Sequence, residues 1–105
     1  MNLTVLPSHY IILAALVFGI GASGAIIRRN ALILLMSVEL MLNAANLVLI
    51  AYAKQFGHAQ AHAVAFFVMA IAAAEAAISL AIVLGVFRTR QTVDVDELDA
   101  LRDET

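Results

Sequence analysis

The sequence predicts an all-α integral membrane protein with three transmembrane helices and a short polar tail. Of its 105 residues, 64% are hydrophobic and 13% are charged, which is too little polar surface to cover a water-soluble globule. A membrane-spanning helix needs about 20 apolar residues, and three such runs are present, at about residues 10–27, 31–53 and 63–87. We therefore expect one three-helix membrane domain over residues 1–90 and an acidic tail over residues 91–105.

The first apolar run resembles neither a signal peptide nor a nucleotide site. Residues 1–9 contain no Lys or Arg, whereas a signal peptide opens with a basic region, so the run is expected to stay in the mature protein. The letters GIGASG at residues 19–24 fit a dinucleotide-binding fingerprint, but they lie in a spanning segment and not in a βαβ unit. They indicate close helix packing instead. Two sets of small residues recur every four positions: Ala15, Gly19 and Ser23, and Gly21 and Ala25.

The basic residues predict how the helices are oriented in the membrane. Five of the six follow the first or the third helix: Arg28, Arg29, Arg88, Arg90 and Arg102. By the positive-inside rule, the first loop and the carboxyl terminus are cytoplasmic, and the amino terminus and the loop from Lys54 to His62 face outside. Because the first loop is very short, the first two helices should form a tight antiparallel hairpin. Its arginines either anchor the topology or have a further role, such as binding an anionic lipid or tuning a nearby acid.

The acidic tail contains six of the eight acidic residues. Within it, Val95, Leu98 and Leu101 recur at three-residue spacing, which is compatible with one apolar face of a short helix that docks on a partner. A solvated acidic end is the alternative.

The other two acidic residues, Glu39 and Glu75, lie deep in the second and third apolar runs. A carboxylate at such a depth costs roughly 3 kcal/mol, so it normally faces a partner, a wet cavity or an ion path. The placement of these two residues predicts proton or cation handling.

The neighbours of each glutamate favour a functional site over simple packing. Glu39, Asn43 and Asn46 form one polar stripe on the second helix, because they are spaced by four and three residues. Glu75 lies among alanines, with Ser79 one turn further on the same side. Counted from the cytoplasmic helix ends, the two carboxyl groups differ in depth by roughly 6 Å. They can therefore share one layer as a proton relay, and the alternative is a pair of protonated hydrogen-bonding groups.

Metal and redox chemistry by this chain are not expected. The sequence has no cysteine, so it offers no thiolate for an iron-sulfur cluster. His58 and His62 are four residues apart, a spacing that can present two imidazoles to a metal, but no third ligand is evident nearby. They are interpreted as loop or interface histidines.

Three motifs resemble one family, the K subunit of bacterial NADH-quinone oxidoreductase (respiratory complex I), which is equivalent to the mitochondrial 4L subunit. The motifs are RRN at residues 28–30, SVELMLNAANL at residues 37–47 and AAAEAAISLA at residues 72–81. The trailing RTRQTVDVDEL is also similar to the end of family members. The resemblance implies that Glu39 and Glu75 take part in proton transfer, with Arg28 and Arg29 in support.

The resemblance also implies partners and a location. The expected partners are the membrane subunits that resemble the J and N chains, and possibly the A chain, within the inner membrane of a bacterial cell, with no nucleic acid. NADH, flavin, iron-sulfur clusters and quinone would belong to partner subunits. This chain would bind no cofactor and have no independent catalytic activity.

Three other interpretations remain open at the level of the sequence. The C subunit of multisubunit sodium/proton antiporters shares the three-helix plan, although the alanine-flanked Glu75 argues against it. A rotary-ring proteolipid is disfavoured by three unequal helices. A purely structural membrane spacer would leave the cost of both acids unexplained.

Overall fold

The computed structural model describes residues 4–91 and 93–98, and this part of the chain folds as three α-helices. They are α1 (Pro7–Ile27), α2 (Ala31–Phe56) and α3 (Ala59–Arg90). All three are long and apolar enough to cross a membrane. The predicted fold class, an all-α membrane protein with three spanning helices, is confirmed.

A three-residue turn, residues 28–30, joins α1 to α2, which confirms the tight hairpin. Asn30 determines where α2 begins, because its side-chain Oδ1 accepts hydrogen bonds from the backbone N–H groups of Leu32 (2.8 Å) and Ile33 (3.3 Å). These N–H groups have no partner inside the helix, so an asparagine cap satisfies them. The asparagine of the RRN motif therefore has a structural role of its own.

Helices α2 and α3 extend beyond the predicted apolar runs, and only Gly57 and His58 join them. Most of the loop expected from Lys54 to His62 is instead helical. Gly57 ends α2 with a φ of 69°, and the next N–H, that of His58, donates to Ala53 O at 3.1 Å. Hydropathy identifies the part of a helix that is apolar enough to lie in lipid, whereas capping hydrogen bonds determine the residue at which the helix ends. The polar residues around this turn can therefore remain helical.

Helix α2 is the centre of the bundle, since α1 and α3 each pack chiefly against it. Gly21 and Gly24 of α1 allow the closest approach. A Cβ atom at Gly21 would lie 2.7 Å from the backbone oxygen of Ser37, and one at Gly24 would lie 2.5 Å from the Ser37 hydroxyl. By contrast, nothing lies within 4 Å of a Cβ built on Gly19. Within this chain, the close approach of α2 therefore uses the face of Gly21 and Gly24 and not the stripe through Gly19.

The buried core consists of small side chains, and large apolar side chains cover the outside. Among the described residues, the buried apolar positions are Ala14, Ala44, Ala51, Ala53, Ala65 and Ala72. Phe66 and Phe67 of α3, for example, are 72% and 71% exposed. An exterior of this kind is not stable in water over so large an area, which indicates that lipid or other subunits cover it.

The described part of the tail, Val93–Leu98, folds back onto the turn between α1 and α2. It pairs with the turn through an isolated antiparallel bridge between Asn30 and Asp94. Residues 93–96 form a bridge and a turn, and Glu97 and Leu98 are in a 3₁₀ conformation. The predicted amphipathic helix is therefore wrong for residues 93–96, and Leu101 lies outside the described residues. Alternation of Val and Asp suits an extended segment at least as well as a helix.

Candidate functional site

Glu39 lies half-buried in a groove between α2 and α3, together with Asn43. The groove has a volume of about 520 Å³, and one molecule of liquid water occupies about 30 Å³. It therefore has room for several water molecules or for a side chain of a partner. Its remaining lining residues are apolar: Leu32, Leu35, Met36, Leu40, Ala76 and Leu80.

The local sequence explains why the groove forms beside Glu39. Glu39 and Asn43 are four residues apart on α2, so they project from the same side of the helix. Opposite them, α3 presents Ala76, whose small side chain leaves space that a larger residue would fill. The result is a polar pair in an otherwise apolar groove.

The structure places Glu75 differently from Glu39. Glu75 is exposed on α3 and does not line the groove. Ala76, the next residue, does line it. Within the chain alone, one carboxyl group thus faces the space between helices and the other faces outward. Ser79, one turn beyond Glu75, is half-buried.

Asn46 continues the stripe of Glu39 and Asn43, but it has a different environment. It is only 6% exposed, and its Nδ2 donates a hydrogen bond to Ala65 O of α3 at 3.2 Å. This bond joins α2 to α3 where both helices are buried. Its Oδ1 is buried without a hydrogen-bond partner among the described residues. The geometry of Asn46 supports helix packing, whereas that of Asn43, exposed in the groove, suits contact with water.

Arg28 and Arg29 are exposed in the turn before α2. The Nη1 atom of Arg29 lies 2.7 Å from Oδ2 of Asp96, an ion pair that sequence reasoning missed. The only signal in the sequence is the alternation VDVD at residues 93–96. Glu39 comes nine residues after Asn30 along α2, a rise of about 14 Å. At this separation along α2, the charges of the arginines can act on Glu39 electrostatically, but their side chains do not contact it.

The two histidines of the predicted loop lie at the start of α3. His58 precedes the first residue of the helix, and its ring centroid is 6.5 Å from that of Phe56. His62 is exposed one turn later. Within residues 4–91 and 93–98, no group of three or more His, Cys, Asp or Glu side chains is placed to hold a metal ion.

The chain is similar to known bacterial proteins over most of its length. It is 58% identical over 94 residues to the NADH-quinone oxidoreductase subunit K of Anaeromyxobacter sp. (strain Fw109-5), which covers 90% of this chain and 94% of that protein. It is 56% identical over 93 residues to the subunit K of Anaeromyxobacter sp. (strain K), with 89% and 94% covered. The subunit K of Anaeromyxobacter dehalogenans (strain 2CP-C) is 55% identical over 93 residues, with the same coverage.

A family model gives the same assignment. The family described as NADH-ubiquinone/plastoquinone oxidoreductase chain 4L matches residues 9–103, a range that includes the arginine turn, the groove and both membrane glutamates. The three spanning helices agree with a membrane subunit. The chain therefore belongs to the NADH-ubiquinone/plastoquinone oxidoreductase chain 4L family and is a multi-pass protein of the bacterial inner membrane.

Proposed function

We propose that Glu39 and Glu75 transfer protons along a path that NADH-quinone oxidoreductase couples to quinone reduction. Family membership makes the chain a subunit in the membrane arm of that oxidoreductase, complex I. The observation that carries the proposal is the position of Glu39, half-buried beside Asn43 in a groove of about 520 Å³ between two spanning helices. A carboxyl group with adjacent space for water can take up and release a proton.

The energetics support a functional carboxyl over a structural one. A charged carboxylate near the centre of a helix costs about 2.5–3.5 kcal/mol on insertion. No hydrogen bond from Glu39 to another helix offsets that cost in the described part of the chain, whereas Asn46 does make such a bond. Helix packing therefore explains why α2 contains a polar residue at Asn46, but it does not explain the acidic residue at Glu39.

The exposure of Glu75 supports a path that continues into other subunits. An outward-facing acid in lipid is unfavourable, so a partner chain is expected to cover it in the assembled complex. The partners we propose are the J-like and N-like membrane subunits. On this arrangement, Glu39 and Glu75 are successive positions in a path that the partners complete.

The redox reaction is assigned to other subunits of the complex. This sequence contains no cysteine and so cannot hold an iron-sulfur cluster through thiolates. We place NADH, flavin, iron-sulfur clusters and quinone in partner subunits and give this chain no independent catalytic activity. By the positive-inside rule, the arginine turn and the tail lie on the cytoplasmic side.

The test is replacement of each membrane glutamate by its uncharged isostere in the assembled complex. We expect Glu39→Gln and Glu75→Gln to lower NADH-driven proton pumping by about tenfold or more, the scale of a lost proton-transfer group. Glu97→Gln makes the same chemical change in the exposed tail and should leave pumping unchanged. Pumping is measured in inverted membrane vesicles as the fluorescence quenching of a pH-gradient dye after NADH is added. Native gels report the amount of assembled complex.

The structural-spacer interpretation is tested by the same pumping experiment, and the antiporter interpretation is tested by co-purification. If pumping stays normal with both glutamates replaced, the relay is refuted and a structural spacer is supported. If the chain co-purifies with cation antiporter subunits and not with an NADH-oxidising assembly, the antiporter interpretation is supported. The names of the relatives at 55–58% identity favour the oxidoreductase.

A further inference from the structure

The tail segment Val93–Leu98, which we call the strap, completes the start of α2. The N–H of Ala31 donates to Val93 O at 2.8 Å, and the N–H of Val95 donates to Arg29 O at 3.0 Å. The first N–H groups of a helix lack partners inside the helix. Asn30 caps the next two, so the strap supplies the partner that Ala31 would otherwise lack. Backbone bonds on both sides of Asn30 thus fix the arginine turn.

The strap also joins the turn to the carboxyl end of α3. Val93 and Leu98 line a partly open apolar space of about 150 Å³. The other lining residues come from the start of α2 and the end of α3: Ala31, Ile82, Val83 and Val86. The strap therefore links the arginine turn and the start of α2 to the end of α3.

Asp96 is oriented within the strap before it meets Arg29. Its N–H donates to Oδ1 of Asp94 at 2.9 Å, and the Glu97 N–H donates to Asp94 O at 3.2 Å, which forms a tight turn. The carboxylate of Asp96 then lies 2.7 Å from the Arg29 guanidinium. The two side chains are 58% and 73% exposed, so the ion pair adds little to overall stability. Its effect is local, since it selects one arrangement of the turn.

We propose that Asp96 is a positioning residue for the arginine turn: it holds Arg29 against the strap, so that the turn has one arrangement in the complex. This inference rests on the proposed function, because the turn matters to activity only if its arginines support proton transfer. Without the ion pair, the two backbone bonds alone hold the strap on the turn. They then open more often, and the turn samples other arrangements for part of the time. The expected loss is therefore partial.

The functional test uses Asp96→Asn in the assembled complex. We expect proton pumping to fall by about two- to fivefold, the range that an exposed ion pair can account for. Asp96→Glu keeps the carboxylate and should restore most of the activity. Glu97→Gln is the matched control, and Asp96→Asn combined with Arg29→Gln should be no worse than Arg29→Gln alone. Normal pumping in Asp96→Asn, or losses that add in the double variant, would overturn the proposal.

A second measurement reports the geometry of the strap without relying on activity. A backbone hydrogen bond of 2.8 Å joins Ala31 to Val93, and both residues line the same apolar space. This proximity makes the two positions suitable for a reporter disulfide, which forms only when the Cα atoms come within about 7 Å. The chain has no native cysteine, so Ala31→Cys with Val93→Cys gives a single reporter bond, read from a shift in gel mobility of this subunit. We expect slower disulfide formation when Asp96→Asn is added and no change with Glu97→Gln.

The two measurements separate the possible failures. Equal disulfide formation with and without Asp96→Asn overturns positioning by Asp96, whatever the activity. Slower disulfide formation with normal pumping means that the turn does not serve proton transfer, which also overturns the proposal. Normal pumping in Glu39→Gln and Glu75→Gln refutes the proposed function and leaves the disulfide measurement meaningful.

Discussion

Gly21 offers the sharpest test of how α1 and α2 pack. It is buried, and a Cβ atom added there would lie 2.7 Å from Ser37 O and 2.9 Å from Met41 Cγ. The methionine side chain can rotate away, but the Ser37 oxygen is backbone in the middle of α2. Gly21→Ala therefore forces the two helices apart at this point.

Two opposing effects determine how much Gly21→Ala changes the stability of the fold. Alanine favours a helix interior over glycine by about 1 kcal/mol, whereas overpacking a close contact costs about 1–3 kcal/mol. Gly19 is a matched control in the same helix, because nothing lies within 4 Å of a Cβ built there. Gly19→Ala should therefore show only the gain in stability that comes from the higher helix propensity of alanine. The difference between the two variants, about 1–3 kcal/mol, then isolates the clash.

The assay is thermal inactivation of the assembled complex in its membrane. We expect the temperature of half-inactivation to fall for Gly21→Ala and to stay level or rise for Gly19→Ala. Proton pumping should also fall in Gly21→Ala, because Ser37 lies two residues before Glu39 and a shift of α2 alters the groove. If both variants inactivate at the same temperature, the reasoning about this contact is wrong.

Two further predictions concern the caps of α2, and both are measured by the same thermal inactivation. Asn30→Ala removes the acceptor for two backbone N–H groups and should destabilise the fold by about 1 kcal/mol, whereas Asn30→Ser keeps a capping oxygen and most of the stability. Gly57→Ala should cost about 1–2 kcal/mol, because its φ of 69° is unfavourable for a residue with a Cβ. Gly85→Ala is the control, since it is helical with nothing within 4 Å of the added atom. A loss in Gly85→Ala equal to that in Gly57→Ala would contradict the backbone explanation.

The helices could be predicted from the sequence because the membrane imposes a simple requirement. A spanning segment must satisfy its backbone hydrogen bonds internally and be apolar over about 20 residues, so three such runs indicate three helices. The first helix ended at the predicted residue, where the arginine turn follows. The turn at Gly57 was predicted less well, because Gln55 and His62 are polar and yet helical. A hydropathy pattern predicts which residues lie in lipid, but it does not predict the hydrogen bonds that end a helix.

The strap could not be predicted, because it depends on a contact between distant parts of the chain. Arg29 and Asp96 come together only once three helices have formed and returned the tail to the first turn. The spacing of Val95 and Leu98 was compatible with a helix, whereas Val93 and Val95 form backbone bonds to the first turn and Asp94 is in an isolated bridge. Local spacing does not distinguish these two possibilities when the segment is only six residues long.

The contrast between the two membrane glutamates is what we expect of a chain whose proposed proton path continues into partner subunits. The sequence places Glu39 and Glu75 at similar depth, but only Glu39 lies in a groove formed by this chain, whereas Glu75 is exposed on α3. A charged carboxylate left in lipid costs about 2.5–3.5 kcal/mol, so we expect a polar or wet surface of a partner to cover Glu75 in the complex. The same contact would carry a proton between subunits. We therefore expect Glu75→Gln to interrupt transfer between chains while preserving assembly, because glutamine keeps the shape of the side chain and can still form hydrogen bonds, but its amide does not ionise and cannot relay a proton.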